Sequence, residues 1–259
     1  MAPTRWILGN WKQNHLREAA ASCAQGIAAG VTDAVGASDV RVGIAPTFLA
    51  LDAAAAHCAP ASPVWLLAQD CAAQDDGAFT GEVGPTMLRE AGVGAVIVGH
   101  SERRAMFGDT DALVAAKLSH ALKAGLTAVL CVGERLEARE AGEHESTVIS
   151  QLSAAFAQLD SSAVGPTLVI AYEPVWAIGT GKTATPAQAS QMHATIRGWL
   201  AERFGDAGRD RSILYGGSVK PDNAADLITA GDIDGFLVGG ASLDPQSFLA
   251  IVRAAAATA

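Results

Sequence analysis

Eight short apolar runs recur along the chain, and a segment with helical patterning or a polar loop follows each of them. The runs are 6–9, 40–44, 64–67, 95–98, 127–132, 167–172, 212–215 and 235–238. They are continuous rather than alternating, and many are rich in Val and Ile. A strand that is apolar at consecutive positions is buried on both faces, as in a parallel sheet covered by its own crossover helices. Eight such units in 259 residues fit a closed (β/α)8 barrel better than an open sheet. No linker, low-complexity tract or charge block breaks the series. The fold class is therefore read as α/β, a single (β/α)8 barrel domain over residues 1–259.

Local signals place the helices. The pattern predicts helices over about 15–29, 48–57 and 111–123, with Gly125 as the residue that ends the third. Thr185 and Gln188 are spaced as a capping box, with Pro186 at the first helical position. Asp244-Pro245 opens the last helix. Between the third run and the next helical pattern lies an unusually long polar loop, 69–82.

In a parallel sheet all strand C-termini share one rim, so residues directly after the runs meet however far apart they lie in sequence. On that rim stand Asn10, Lys12, His100, Glu102, Glu173, Ser218, Gly239 and Gly240. This is the face on which barrel enzymes work. Glu173 ends the sixth run. Pro174 and a small-residue stretch with Gly179 and Gly181 follow it. A carboxylate at a strand end beside a hinged segment has the layout of a general base under a lid. An ion-paired Glu in an ordinary strand–helix loop has the same local pattern. His100 opens a helical segment whose N-terminus disfavours imidazolium and favours a neutral, hydrogen-bond-donating ring. Gly216-Gly217-Ser218 and Gly239-Gly240 follow the seventh and eighth runs, where barrels commonly cradle phosphate on backbone N–H groups.

The formal charge of −9 and the lack of a basic cluster argue against nucleic acid and against an anionic membrane surface. No apolar stretch is long enough to span a bilayer, and the first residues lack a signal-peptide core. A cytoplasmic location is the expectation. Cys23, Cys58, Cys71 and Cys131 form no CxxC pair, so neither a disulfide framework nor a zinc site is expected, and no metal site is assigned.

Several motifs carry a family resemblance. They are Gly9-Asn10-Trp11-Lys12, Ala68-Gln69-Asp70, the segment 77–82, Val98-Gly99-His100-Ser101-Glu102-Arg103-Arg104, Cys131-Val132-Gly133-Glu134, the stretch 171–182 around Glu173 and Trp176, Tyr215-Gly216-Gly217-Ser218-Val219, and Val238-Gly239-Gly240. Together they resemble triosephosphate isomerases in the family's own order over nearly the whole chain, and so imply a TIM barrel. The resemblance implies interconversion of dihydroxyacetone phosphate and D-glyceraldehyde 3-phosphate. It makes Glu173 the base and His100 the electrophile, with Lys12, Asn10 and Glu102 also catalytic. It implies substrate binding by Asn10, Trp11, Lys12, Gly179, Ser218, Gly239 and Gly240, under a lid over 174–184. It implies no cofactor, a small phosphorylated triose as substrate, and a homodimer formed through the 69–82 loop with Phe79 and Thr80. Gly84-Pro85 and Lys220-Pro221 depart from the family's usual pattern. The second bears on the charge beside the phosphate but removes no ligand group. Competing readings are a Schiff-base aldolase using Lys12 and an inactive phosphosugar-binding protein.

Overall fold

The computed structural model describes residues 3–58, 62–157, 159, 164–178 and 184–258. Its strands are β1 (Arg5–Asn10), β2 (Val40–Ala45), β3 (Val64–Ala68), β4 (Ala95–Val98), β5 (Thr127–Val132), β6 (Leu168–Tyr172), β7 (Ser212–Tyr215) and β8 (Gly235–Val238). All pair in parallel, each with the next, and β8 closes onto β1. The eightfold barrel expected from the apolar runs is the fold observed.

Burial on both faces explains why the runs are continuous. Within β5, Val129 and Cys131 pack with Trp6, Leu8, Ile97, Val169, Leu214 and Leu237 in a cluster drawn from all eight strands and no helix. This is the barrel interior. The intervening Ala128, Leu130 and Val132 belong to the larger cluster shared with the helices. Successive strand residues thus feed two cores in turn.

The helices that wrap the barrel are α1 (Arg17–Val35), α2 (Leu51–Ala55), α3 (Pro85–Glu90), α4 (Ser101–Met106), α5 (Asp111–Lys123), α6 (Leu136–Glu140), α7 (His144–Ala155), α8 (Pro186–Phe204), α9 (Asp206–Arg209), α10 (Ala224–Ile228) and α11 (Pro245–Ala256). The capping box at Thr185 and Gln188 is present, and the side chain of Asp244 caps α11. The first helix departs from its predicted span. It begins at Arg17 because Lys12 and His15 both hold positive φ, 52° and 65°, which cannot propagate a right-handed helix. It runs past Ala29 because Gly30 faces α11: a Cβ there would lie 2.5 Å from a methyl carbon of Leu249. Gly30 is a close-packing position within the helix. Among the described residues no helix is long and apolar enough to cross a membrane.

One buried histidine ties the fold to pH. His193 of α8 is fully buried, with Nδ1 3.0 Å from the carbonyl oxygen of Asp232 and its ring against Tyr172 and Tyr215. Burial pushes its pKa down to about 4. A histidine whose folded pKa lies below its unfolded value resists protonation only in the folded state. Its contribution is intact above about pH 6.5 and is withdrawn as pH falls toward 4. The withdrawal amounts to roughly 3 kcal/mol at most. Urea unfolding should show stability falling between pH 6.5 and 4, and the nontitrating His193→Gln variant should lose this part of the slope. An unchanged slope in that variant would assign the acid sensitivity elsewhere.

Candidate active site

The C-terminal ends of the strands open into a cavity of about 700 Å3. Asn10, Lys12, His100, Glu102, Glu173, Ser218, Gly239 and Gly240 all line it. Two further sequence-derived site residues remain. Gly179 lies outside the described residues. Trp11 is fully buried in the core, edge-on to His15 at 5.0 Å, and its side chain is not part of the cavity wall. The indole belongs to the core cluster that the strands share with the helices. Its place is to pack beneath the turn that carries Asn10 and Lys12.

That turn is an unusual piece of backbone. The side-chain oxygen of Asn10, the last residue of β1, accepts the Lys12 N–H at 3.1 Å. The Gln69 amide donates to the carbonyls of Lys12 at 2.8 Å and of Ala45 at 2.9 Å. These bonds hold a non-glycine residue in the left-handed region, an arrangement that persists only when surrounding contacts enforce it. Beyond it the ammonium of Lys12 lies 2.6 Å from Glu102 Oε1.

His100 caps α4. Its Nδ1 accepts the Glu102 N–H at 3.2 Å, a bond only an unprotonated Nδ1 can make. The ring hydrogen therefore sits on Nε2, 3.0 Å from Glu173 Oε1. Burial pulls the His100 pKa down, but the charge and hydrogen bond of Glu173 outweigh it and raise it above the ordinary value. The expectation of a neutral ring from the helix N-terminus alone thus meets an opposing carboxylate. The two influences act on opposite nitrogens.

Glu173 follows β6 directly and is almost wholly buried. Oε2 accepts the Ser101 N–H at 2.9 Å and Oε1 the Ser101 hydroxyl at 3.2 Å. Burial alone would raise its pKa; His100 and the two Ser101 bonds outweigh that and lower it. Held this way, the carboxylate is a weakened base. Moving off Ser101 and His100 would restore its basicity. Gly216 gives it a slot, since a Cβ there would stand 3.0 Å from Glu173 Cγ.

Behind the site, Glu134 is fully buried and accepts from Tyr172 Oη at 3.1 Å and Trp176 Nε1 at 2.8 Å. It ties the segment after Glu173 to the end of β5. The individual roles of Ser101, Glu134 and Gln69 are not readable from sequence, although all three lie within the motifs singled out there. Ile178, Leu237 and Lys220 also line the cavity. Lys220 brings the extra cation expected beside the glycine turns.

A second depression of about 570 Å3 adjoins the first and shares Asn10, Lys12, His100 and Glu102 with it. Met106 and Phe107, both 65% exposed, form part of its wall, and Leu16 and Leu49 are 86% and 83% exposed. The 69–82 loop is closed at its base by Ala72 N–H to the Val83 carbonyl at 2.8 Å, and Asp75 lies 2.9 Å from His120 Nδ1. Asp70 at its root is held by the Lys117 ammonium at 2.9 Å and by Arg103 at 2.9 Å.

Comparison with known proteins gives the family. The family model described as triosephosphate isomerase matches residues 5–255. A curated triosephosphate isomerase of Alcanivorax borkumensis is 48% identical over 255 residues, covering 98% of this chain and all of that protein. The one from Roseiflexus sp. strain RS-1 is 49% identical over 251 residues, covering 96% of this chain and 97% of its own. That of Pelodictyon phaeoclathratiforme is 47% identical over 251 residues, with the same two coverages.

Proposed function

The chain belongs to the triosephosphate isomerase family, and from that premise we propose that it interconverts dihydroxyacetone phosphate and D-glyceraldehyde 3-phosphate through an enediolate. The observation that carries this reading is the convergence of Lys12, His100 and Glu173 on one cavity beside two glycine turns. Glu173 leaves Ser101, removes a proton from one carbon of the substrate and returns it to the neighbouring carbon. One carboxylate above a planar enediolate reaches both. General base catalysis of this kind supplies about 10²–10⁴-fold.

The Nε2–H of His100 donates to the oxygens on which negative charge develops. A preorganised donor in such a site contributes about 10²–10³-fold. A glutamate base, a neutral histidine and a closing loop are the familiar assignment for triosephosphate isomerases as a class, not a deduction special to this chain. Lys12 exchanges Glu102 for the dianionic substrate. Backbone N–H groups at Ser218, Gly239 and Gly240 receive the phosphate, joined by Gly179 when the 174–184 segment closes as a lid. Closure excludes water and disfavours phosphate loss from the enediolate. No cofactor takes part, because the step changes no overall oxidation state and cleaves no carbon–carbon bond.

A coupled assay on purified protein tests the reading. Turnover of both triose phosphates, undiminished after dialysis against a chelator, is the expected result. Failure to turn over either one rejects it.

The assembly is proposed to be a homodimer in which the 69–82 loop, with Phe79 and Thr80, enters the partner's depression beside Asn10 and Lys12. The exposed Met106, Phe107, Leu16 and Leu49 support this, since apolar side chains left in water favour burial against another chain. Sedimentation at micromolar concentration should give twice the 26.4 kDa chain mass. A species of single-chain mass throughout would remove the proposal.

A further inference from the structure

We infer that Gln151, on α7 and outside the cavity of the mouth, is a positioning residue for Glu173; the inference rests on Glu173 acting as the base. The end of β6 is held by two carbonyls of the preceding strand segment. The Glu173 N–H donates to Val132 O at 2.8 Å, and the Val175 N–H donates to Glu134 O at 3.1 Å. One bond fixes the base and the other fixes the start of the segment that follows it. Between those two carbonyls lies Gly133, whose own polar groups turn away from β6 toward α7. Both are taken by one side chain: the Gly133 N–H donates to Gln151 Oε1 at 2.8 Å, and Gln151 Nε2 donates to Gly133 O at 2.9 Å.

A neutral carboxamide offers an acceptor and a donor side by side at this reach whatever the pH. Glutamate offers acceptors alone and would set a charge against the Gly133 carbonyl. Leucine offers nothing and leaves two backbone groups unpaired. The clamp matters because there is no slack in front of it. A Cβ on Gly133 would overlap the Glu173 carbonyl oxygen, so the Gly133 backbone is the surface against which the Glu173 backbone rests. A shift of residue 133 away from α7 must be taken up by Glu173. Gln151 thus sets where the base starts its travel without touching substrate.

Gln151→Leu should lower kcat about tenfold or more, since displacement of a reacting group by a fraction of an ångström carries costs of that order. KM for substrate and Ki for inorganic phosphate should stay within about twofold, because the Ser218, Gly239 and Gly240 contacts follow β7 and β8 and do not rest on this clamp. Loss of activity by general destabilisation would instead track the folded fraction and disappear well below the unfolding temperature. Gln151→Glu supplies a second measurement, and carries the test if the leucine variant does not fold. Its protonated form again pairs a donor with an acceptor, so its kcat relative to the parent should rise as pH falls from 8 to 6. An isomerase-active parent with a leucine variant of parental kcat, or a glutamate variant whose relative kcat is flat with pH, overturns the role of Gln151. An inactive parent instead overturns the assignment of the isomerase reaction.

Discussion

Replacing Glu173 by aspartate should cut kcat by about 10²–10³-fold and leave KM nearly unchanged. The reason is specific to how this residue is mounted. Its N–H is bonded to Val132, Gly133 packs behind its carbonyl, and Gly216 borders its side chain closely. The backbone cannot advance to compensate for a shorter arm. The aspartate would keep its charge and its affinity for a proton, but would carry them one methylene short of the carbon to be deprotonated. Phosphate contacts at Ser218, Gly239 and Gly240 would be untouched, which is why the loss should fall on kcat. Steady-state kinetics in both directions decide the matter. A kcat within a few-fold of the parent would show that a different group abstracts the proton.

The second large effect is expected at Lys12. The ionisable groups lining the cavity include Lys12 and Lys220 against Glu102, Glu173 and Asp222, inside a chain of charge −9. A dianionic substrate enters this mouth only if a cation meets it. Lys12→Met removes one of the two lysines and also strips Glu102 of its 2.6 Å partner, leaving a bare carboxylate at the mouth. A unit charge pair at about 4 Å in a partly screened site interacts by about 4 kcal/mol, equivalent to roughly 10³-fold. The expected result is a fall in kcat/KM of about that size with a marked rise in KM. Lys12→Arg should recover only part of it, because the planar guanidinium must fit where a compact ammonium sat. A methionine variant with parental KM would mean that Lys220 or the backbone alone neutralises the phosphate.

Much of this architecture is legible in the chain without coordinates. The barrel is readable because double-sided burial writes itself as consecutive apolar residues, as in 127–132. The rim residues follow from parallel topology, which gathers Asn10, His100, Glu173 and Ser218 without regard to sequence distance. Other features leave no such trace. Helix α1 cannot be bounded from periodicity, because its start depends on positive φ at Lys12 and His15 and its continuation on the packing of Gly30 against Leu249. Trp11 sits inside the motif that carries Asn10 and Lys12, yet points into the core. Adjacency in sequence says nothing about which side of the backbone a side chain takes after a strand ends. Gln151 looks like any polar residue on a helix, since its partner is backbone, and backbone hydrogen bonds carry no residue signature. The opposing pulls on the two nitrogens of His100 likewise need the carboxylate and the helix end in one frame.

All four cysteines are free and buried. The thiol pKa values of Cys23, Cys58 and Cys71 are pushed up to about 11, 12 and 12 by burial. At neutral pH even the most acidic of the three is ionised in only about one molecule in ten thousand. Alkylating reagents would therefore read transient opening rather than surface chemistry. With Cys23 on the first helix, Cys71 at the root of the long loop and Cys131 in the barrel's interior, each labelling rate clocks the breathing of a different layer.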